Sequence, residues 1–88
     1  MTKEEILAVI KKHLVDAIDD LDPDTIDAEK SMKDYGANSL DLVEVVSRSM
    51  RELKVKVPRA ELNRLTNIQG LVDLFYQSVQ ERDAKSEG

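Results

Sequence analysis

Apolar residues recur along this chain with helical spacing in three stretches, separated by polar segments. Ile6, Ile10, Leu14 and Ile18, with Leu7 and Ala17 beside them, form one stripe, which predicts a helix from about Lys3 to Asp16 or a little beyond. Thr2-Lys3-Glu4-Glu5 in front of it reads as a capping box, in which Thr2 and Glu5 each satisfy an orphan N–H. A polar connection follows from about Asp19 to Asn38, and its isolated apolar residues Leu21, Ile26, Met32 and Tyr35 can anchor it. A connection this long in a small domain is either functional or disordered, and its end at Ser39 favours function.

The second stripe is Val43, Val46, Met50 and Leu53, spaced three, four and three, and it predicts a narrow buried seam. Asp41, Glu44, Arg48 and Arg51 make the opposite, solvated stripe. Asn38 can cap this helix, with Asp41 as a first-turn acid that complements the dipole. Lys54-Val55-Lys56-Val57 alternates like a strand, but four residues without a second strand make no sheet; it reads as a connector whose valines face the core. Pro58 suits the first turn of a short helix over Arg59–Arg64, with Leu62 and Leu65 turned inward. Thr66-Asn67-Ile68-Gln69 repeats the capping-box pattern. The last helix buries Ile68, Leu71, Val72, Phe75 and Val79 and ends near Arg82. The fold class is therefore all-α, a small bundle of three principal helices plus one short one. Residues 1–82 form a single domain, and Asp83 to Gly88 read as a frayed tail.

Composition narrows the chemistry. At 88 residues the chain is one small domain that buries only about 60–65% of its unfolded surface. It has no cysteine, which excludes a disulfide framework, a Cys-ligated metal and a thiol nucleophile. Its formal net charge of −5, without a basic stripe interleaved with aromatics, argues against nucleic acid. An acidic face instead favours proteins with basic patches. The apolar run Ile6–Ile10 is too short for a signal core or a membrane span, so a cytoplasmic protein, monomeric and off the membrane, is expected.

Ser39 carries the main chemical signal. It lies in Asp34-Tyr35-Gly36-Ala37-Asn38-Ser39-Leu40-Asp41-Leu42-Val43-Glu44: a glycine turn, a capping residue, then the serine at the start of an amphipathic run. A hydroxyl on the first turn of a helix sits in the positive potential of unpaired N–H groups, a setting that suits a phosphate ester. The string resembles the attachment motif of acyl carrier proteins, whose usual form is Gly-x-Asp-Ser-Leu followed by acidic and aliphatic residues. The order of elements from about Ile6 to Phe75 is similar to that family's as well. The resemblance implies that Ser39 carries 4′-phosphopantetheine, installed from coenzyme A by a phosphopantetheinyl transferase. It further implies that the terminal thiol holds acyl groups as thioesters for partner enzymes. Leu40, Asp41 and Glu44 match the face that the family presents to partners, and Leu42, set off the seam, can pack near the arm.

Two departures from the family pattern stand out. The usual Asp before the serine is Asn38, which caps a helix as well but lacks the negative charge. Arg48 and Arg51 make the distal half of the helix basic where many fatty-acid carriers stay acidic, and such a mismatch can exclude wrong partners. Asn38, Arg48 and Arg51 thus join Leu40, Asp41, Leu42 and Glu44 as candidate partner-binding residues. Gly36–Leu40, with Val55-Lys56-Val57-Pro58-Arg59 downstream, resembles discrete polyketide-pathway carriers. Among these it looks most like the stand-alone carriers that donate acetyl groups to a hydroxymethylglutaryl (HMG)-synthase-like enzyme during β-branching. The implied partners are acyltransferase, ketosynthase-like and HMG-synthase-like enzymes.

Other features have ordinary readings. Ser39 by itself could be a simple helix-start serine, and Ser31, Ser47, Ser49, Ser78 and Ser86 lack its setting. Asp16, Asp19, Asp20, Asp22, Asp24 and Asp27 suggest calcium, but an EF-hand loop begun at Asp20 puts Thr25 where glycine is needed and Ser31 where the bidentate Glu is needed; a solvated acidic loop fits better. His13 reads as an edge-of-core histidine without a catalytic partner. Tyr35, Phe75 and Tyr76 read as packing residues. Arg48 and Arg51 can close ordinary ion pairs with Glu44 and Glu52. No nucleophile–base pair, metal set or phosphate-cradling loop can be assembled, so catalysis is not expected. The alternatives to a carrier are an acidic calcium-binding helical module and a plain helical adaptor, both without a prosthetic group.

Overall fold

A computed structural model describes residues 2–62 and 67–86. The first helix, α1, spans Lys3–Ala17 and begins with the expected capping box: the Glu5 N–H donates to Thr2 Oγ1 and the Thr2 N–H to Glu5 Oε1, both at 3.2 Å. Ile6, Ile10 and Leu14 on its inner face are fully buried, while Ile18 is the C-cap and only half-buried. Each such side chain removed from water stabilises the fold by about 1.5–3 kcal/mol before entropy is counted.

The second helix, α2, spans Ser39–Leu53, the short α3 spans Arg59–Leu62, and α4 spans Ile68–Ser86. Helix α1 packs against both α2 and α4. Leu53, Val55 and Val57, with Ile68, Leu71, Val72, Phe75 and Val79, complete the core. Among the described residues there is no strand, and the valines of the 54–57 connector face inward as the pattern predicts.

The seam on α2 differs from the sequence expectation. Val43 is 49% exposed, whereas Val45, Val46, Ser49 and Leu53 are buried and Leu42 and Met50 lie half-buried beside them. The inward face therefore follows 42, 45, 46, 49 and 53, a regular three-four helical stripe whose fourth member is a serine. That polar residue hides the stripe in the sequence, and the apolar neighbours 43 and 50 draw the reading a third of a turn aside. At the C-terminus of α2, Lys54 adopts a left-handed conformation with φ 57° and closes the helix through its N–H to the Met50 carbonyl. The Arg82 guanidinium donates to the Leu53 carbonyl, so a cation from α4 satisfies an end of α2 where the dipole favours positive charge.

The connection from Ile18 to Asn38 is ordered by short-range chemistry. It contains two 3-10 turns, Pro23–Thr25 and Met32–Tyr35. Ile26, Met32 and Ala37 anchor it in the core, with Leu21 and Tyr35 half-buried. The Tyr35 hydroxyl accepts from the Asp27 N–H at 2.5 Å. The carbonyls of Ala28 and Lys30 accept the Gln69 and Ile68 N–H groups at 2.8 and 2.9 Å, so the loop caps α4 from outside. The cap residue of α4 itself is Asn67, whose Oδ1 accepts from the Gly70 N–H at 2.8 Å. The roles expected for Thr66, for Leu65 and for the end of the short helix at Arg64 fall outside the described residues. Helix α4 continues past Arg82 to Ser86, because no proline or glycine interrupts the sequence there before Gly88.

Candidate functional site

Ser39 is placed by the turn before it. The second 3-10 turn ends at Gly36, whose φ of +93° is left-handed. A Cβ there would meet nothing within 4 Å, so the backbone angle and not crowding calls for glycine. The Gly36 N–H returns to the Lys33 carbonyl at 3.0 Å and the Ala37 N–H to the Met32 carbonyl at 3.3 Å, which doubles the chain back on itself. Ala37 is buried and pins the closure. Asn38 is extended and forms a reciprocal box with Asp41: Asn38 Oδ1 accepts the Asp41 N–H at 2.9 Å, and Asp41 Oδ2 accepts the Asn38 N–H at 3.1 Å. Asn38 thus fills the capping role in full, and the Asp41 carboxylate sits in the first turn, spoken for by a backbone donor.

Ser39 then opens α2. It is exposed, and its hydroxyl makes no hydrogen bond among the described residues. It borders a groove of about 1060 Å³. One wall is a face of α2 that runs Ser39, Val43, Val46 and Met50, spaced four, three and four; the other is built from Val57, Leu62, Ile68 and Leu71. Three of the four residues that sequence spacing joins into a core seam, Val43, Val46 and Met50, therefore line a groove that begins at the serine, while Leu53 stays in the core. Leu42 borders it too, although it is not set off the seam as the sequence suggested but lies half-buried on the inward face of α2. Ser31, Met32 and Lys33 close the end beside the turn. Lys33 is the charged residue among the described lining, and nothing in the amphipathic pattern singled it out. Its only sequence signal is a cation six positions before Ser39 in a mostly acidic loop.

The outer face of α2 carries the remaining candidates. Leu40 is 79% exposed, an unusual position for leucine, and Glu44, Ser47 and Arg51 continue the same stripe at four, three and four residues. Arg48 donates to Glu44 Oε1 at 2.6 Å across one turn. Glu52, the other acid expected to pair with these arginines, bonds to neither of them. Glu52 instead accepts from Lys12 at 2.7 Å and approaches His13 Nε2 at 3.0 Å on α1. The Lys12 hydrogen bond holds the Glu52 carboxyl below its ordinary value; desolvation acts the other way, and His13 adds to the lowering. His13 is therefore an edge-of-core residue tied to α2, its side chain 12% exposed and its Nδ1 buried without a partner among the described residues.

Two acids of the 16–27 segment, Asp22 and Asp27, serve local structure. Asp22 Oδ1 accepts the Asp24 N–H, and Asp27 Oδ1 accepts the Glu29 N–H, both at 2.9 Å. Among the described residues no three carboxylate or imidazole groups converge as a cation site. No helix among them is long and apolar enough to cross a membrane.

Comparison with known proteins gives this geometry a family. Residues 8–75 match the family described as "phosphopantetheine attachment site". The polyketide biosynthesis acyl-carrier-protein AcpK of Bacillus subtilis (strain 168) is 30% identical over 80 residues, 91% of this chain and 98% of that protein. An acyl carrier protein of Thermosynechococcus vestitus is 31% identical over 80 residues, 90% of this chain and 98% of its own. A chain in the crystal structure of the curacin biosynthetic pathway HMG synthase in complex with acetyl donor-ACP superposes with a TM-score of 0.76 at 33% identity, covering 85% of this chain and 96% of that one. The all-helical fold, the groove that opens at a helix-start serine and the match across 8–75 agree: the chain belongs to the phosphopantetheine-binding acyl carrier protein family.

Proposed function

We propose that Ser39 is the residue that takes the prosthetic group, and that the chain works as a non-catalytic, monomeric carrier in the cytoplasm. The observation that carries the assignment is the exposed Ser39 hydroxyl, unbonded among the described residues, at the first turn of α2 and on the rim of the groove. In the transfer from coenzyme A, a bond forms between Ser39 Oγ and the pantetheine-bearing phosphorus. The phosphoanhydride bond to 3′,5′-ADP breaks, and the hydroxyl proton passes to a base of the phosphopantetheinyl transferase. The residues present fit such a group: the exposed Ser39 hydroxyl stands at the first turn of α2, where N–H groups favour the phosphodiester charge. When attached, 4′-phosphopantetheine supplies a terminal thiol for thioesters. Tethering raises the effective concentration of the acyl group at the partner's active site, while Leu40, Asp41, Glu44, Arg48 and Arg51 on α2, with Asn38 and Leu42 beside the serine, present the surface that partners read.

The pathway we infer is polyketide biosynthesis, with this chain donating acetyl groups to an HMG-synthase-like enzyme in β-branching. The likenesses to AcpK and to the carrier-containing HMG synthase complex support it. A ketosynthase-like decarboxylase or an acyltransferase would load the chain. The test is incubation with coenzyme A and a promiscuous phosphopantetheinyl transferase, followed by intact-mass measurement. A phosphopantetheinyl mass gain abolished by Ser39→Ala is expected. No gain, or one that persists in the variant, would overturn the assignment. Acetyl transfer from the loaded chain to an HMG-synthase-like enzyme, faster than from a fatty-acid carrier, tests the narrower reading.

A further inference from the structure

We propose that Lys33 pairs with the phosphodiester of the arm on Ser39 and sets how the arm leaves the turn. This rests on Ser39 being the attachment residue. Four observations meet at this point. Lys33 and Ser39 border one groove, and Lys33 is the charged side chain among its described lining. The bonds from the Gly36 and Ala37 N–H groups to the Lys33 and Met32 carbonyls turn the chain between Lys33 and the Asn38 cap of α2. Lys33 is exposed and forms no ion pair among the described residues. Finally, the acids closest in sequence are occupied by backbone donors: Asp34 Oδ2 accepts the Ser31 N–H at 2.9 Å, and Asp41 Oδ2 accepts the Asn38 N–H at 3.1 Å.

The charge arithmetic of the turn points the same way. The chain carries −5 overall, and a phosphodiester adds a further negative charge at a helix start already holding Asp41. Repulsion there would push the arm toward solvent. Asn38, neutral where the family pattern has Asp, removes one source of that repulsion, and Lys33 adds an attraction. Together they bias the arm toward the Lys33 end of the groove, along its mouth and against Met32. For an exposed pair of this kind the bias is modest, about two- to fivefold in population, and salt weakens it.

The experiment uses the full chain loaded from coenzyme A, with Lys33→Gln, Lys33→Arg and, as a control elsewhere on the surface, Lys56→Gln. Intact mass establishes loading, and circular dichroism establishes the fold. Phosphorus NMR then follows the phosphodiester signal through a sodium chloride series, and the Lys33 side-chain signals are compared before and after loading. In the native chain and in Lys33→Arg the phosphorus signal should move with salt. In Lys33→Gln it should start at the high-salt position and stay there, while Lys56→Gln behaves as native. The Lys33 side-chain signals should shift on loading. Complete loading with identical salt profiles in native and Lys33→Gln chains would overturn this inference and leave Ser39 as the attachment residue. Absence of loading, or loading that survives Ser39→Ala, would remove both.

Discussion

Ser49 is fully buried on the inner face of α2, and its hydroxyl has no hydrogen-bond partner among the described residues. A buried hydroxyl without a partner carries a desolvation cost that nothing offsets. Ser49→Ala should therefore stabilise the protein, or leave it unchanged, by up to about 1 kcal/mol in urea unfolding. A loss of stability would mean that the hydroxyl is satisfied in solution. Ser39, ten residues earlier on the same helix, shows the opposite logic. It is exposed and borders open space, and the residues that fix it (Gly36 by its positive φ, Asn38 by its cap) leave its hydroxyl free. Two serines of one helix are thus separated by environment and not by residue type.

Helix α2 presents three faces with three tasks. The 42-45-46-49-53 face packs on the bundle, and the 39-43-46-50 face lines the groove. The 40-44-47-51 face looks outward, with Leu40 at its head and Arg51 at its end. Arg48 is engaged by Glu44, whereas Arg51 makes no ion pair among the described residues and stands on the same stripe as Leu40. Partner selection by charge should then depend more on Arg51 than on Arg48. Arg51→Glu is expected to lower kcat/KM for transfer to the native partner severalfold, with a smaller effect from Arg48→Glu and unchanged thermal unfolding for both. Equal kinetics for both variants with every cognate enzyme would remove these arginines from recognition. The effect should shrink as salt is raised, since exposed charges act mainly on encounter.

At the scale of the whole molecule, α1 and α2 are joined by the core and by a polar clasp in which Glu52 accepts from Lys12 and meets His13. The Glu52 carboxyl is held below its ordinary value near 4.5. A carboxyl depressed in the folded state stabilises above its unfolded value and loses that contribution as pH falls through the folded one. The melting temperature should thus drop on acidification below about pH 4.5, and Glu52→Gln should be less stable than native at neutral pH but fall less steeply in acid. Parallel pH profiles for the two chains would show that the clasp contributes nothing. Asp73, lowered by its hydrogen bond to Lys3 and further by Gln69 against an opposing desolvation, links α1 to α4 and acts in the same direction.

What the sequence by itself determined is local. Helical spacing and capping residues placed α1, α2 and the core face of α4, and the glycine–cap–serine string located Ser39, because caps, turns and positive φ depend on residues within a few positions of one another. The end of α4 and the register of the α2 seam were less legible: helix ends are weakly encoded, and a buried serine looks polar from the sequence. Only the tertiary structure decided which apolar face of α2 meets the bundle and which is left to line a groove, since that depends on where α1 and α4 dock. It also brought together residues far apart in the chain, Lys12 and His13 with Glu52, and the Ser31–Lys33 turn with the far wall at Ile68 and Leu71. Long-range packing chose these neighbours, and no local pattern specifies it.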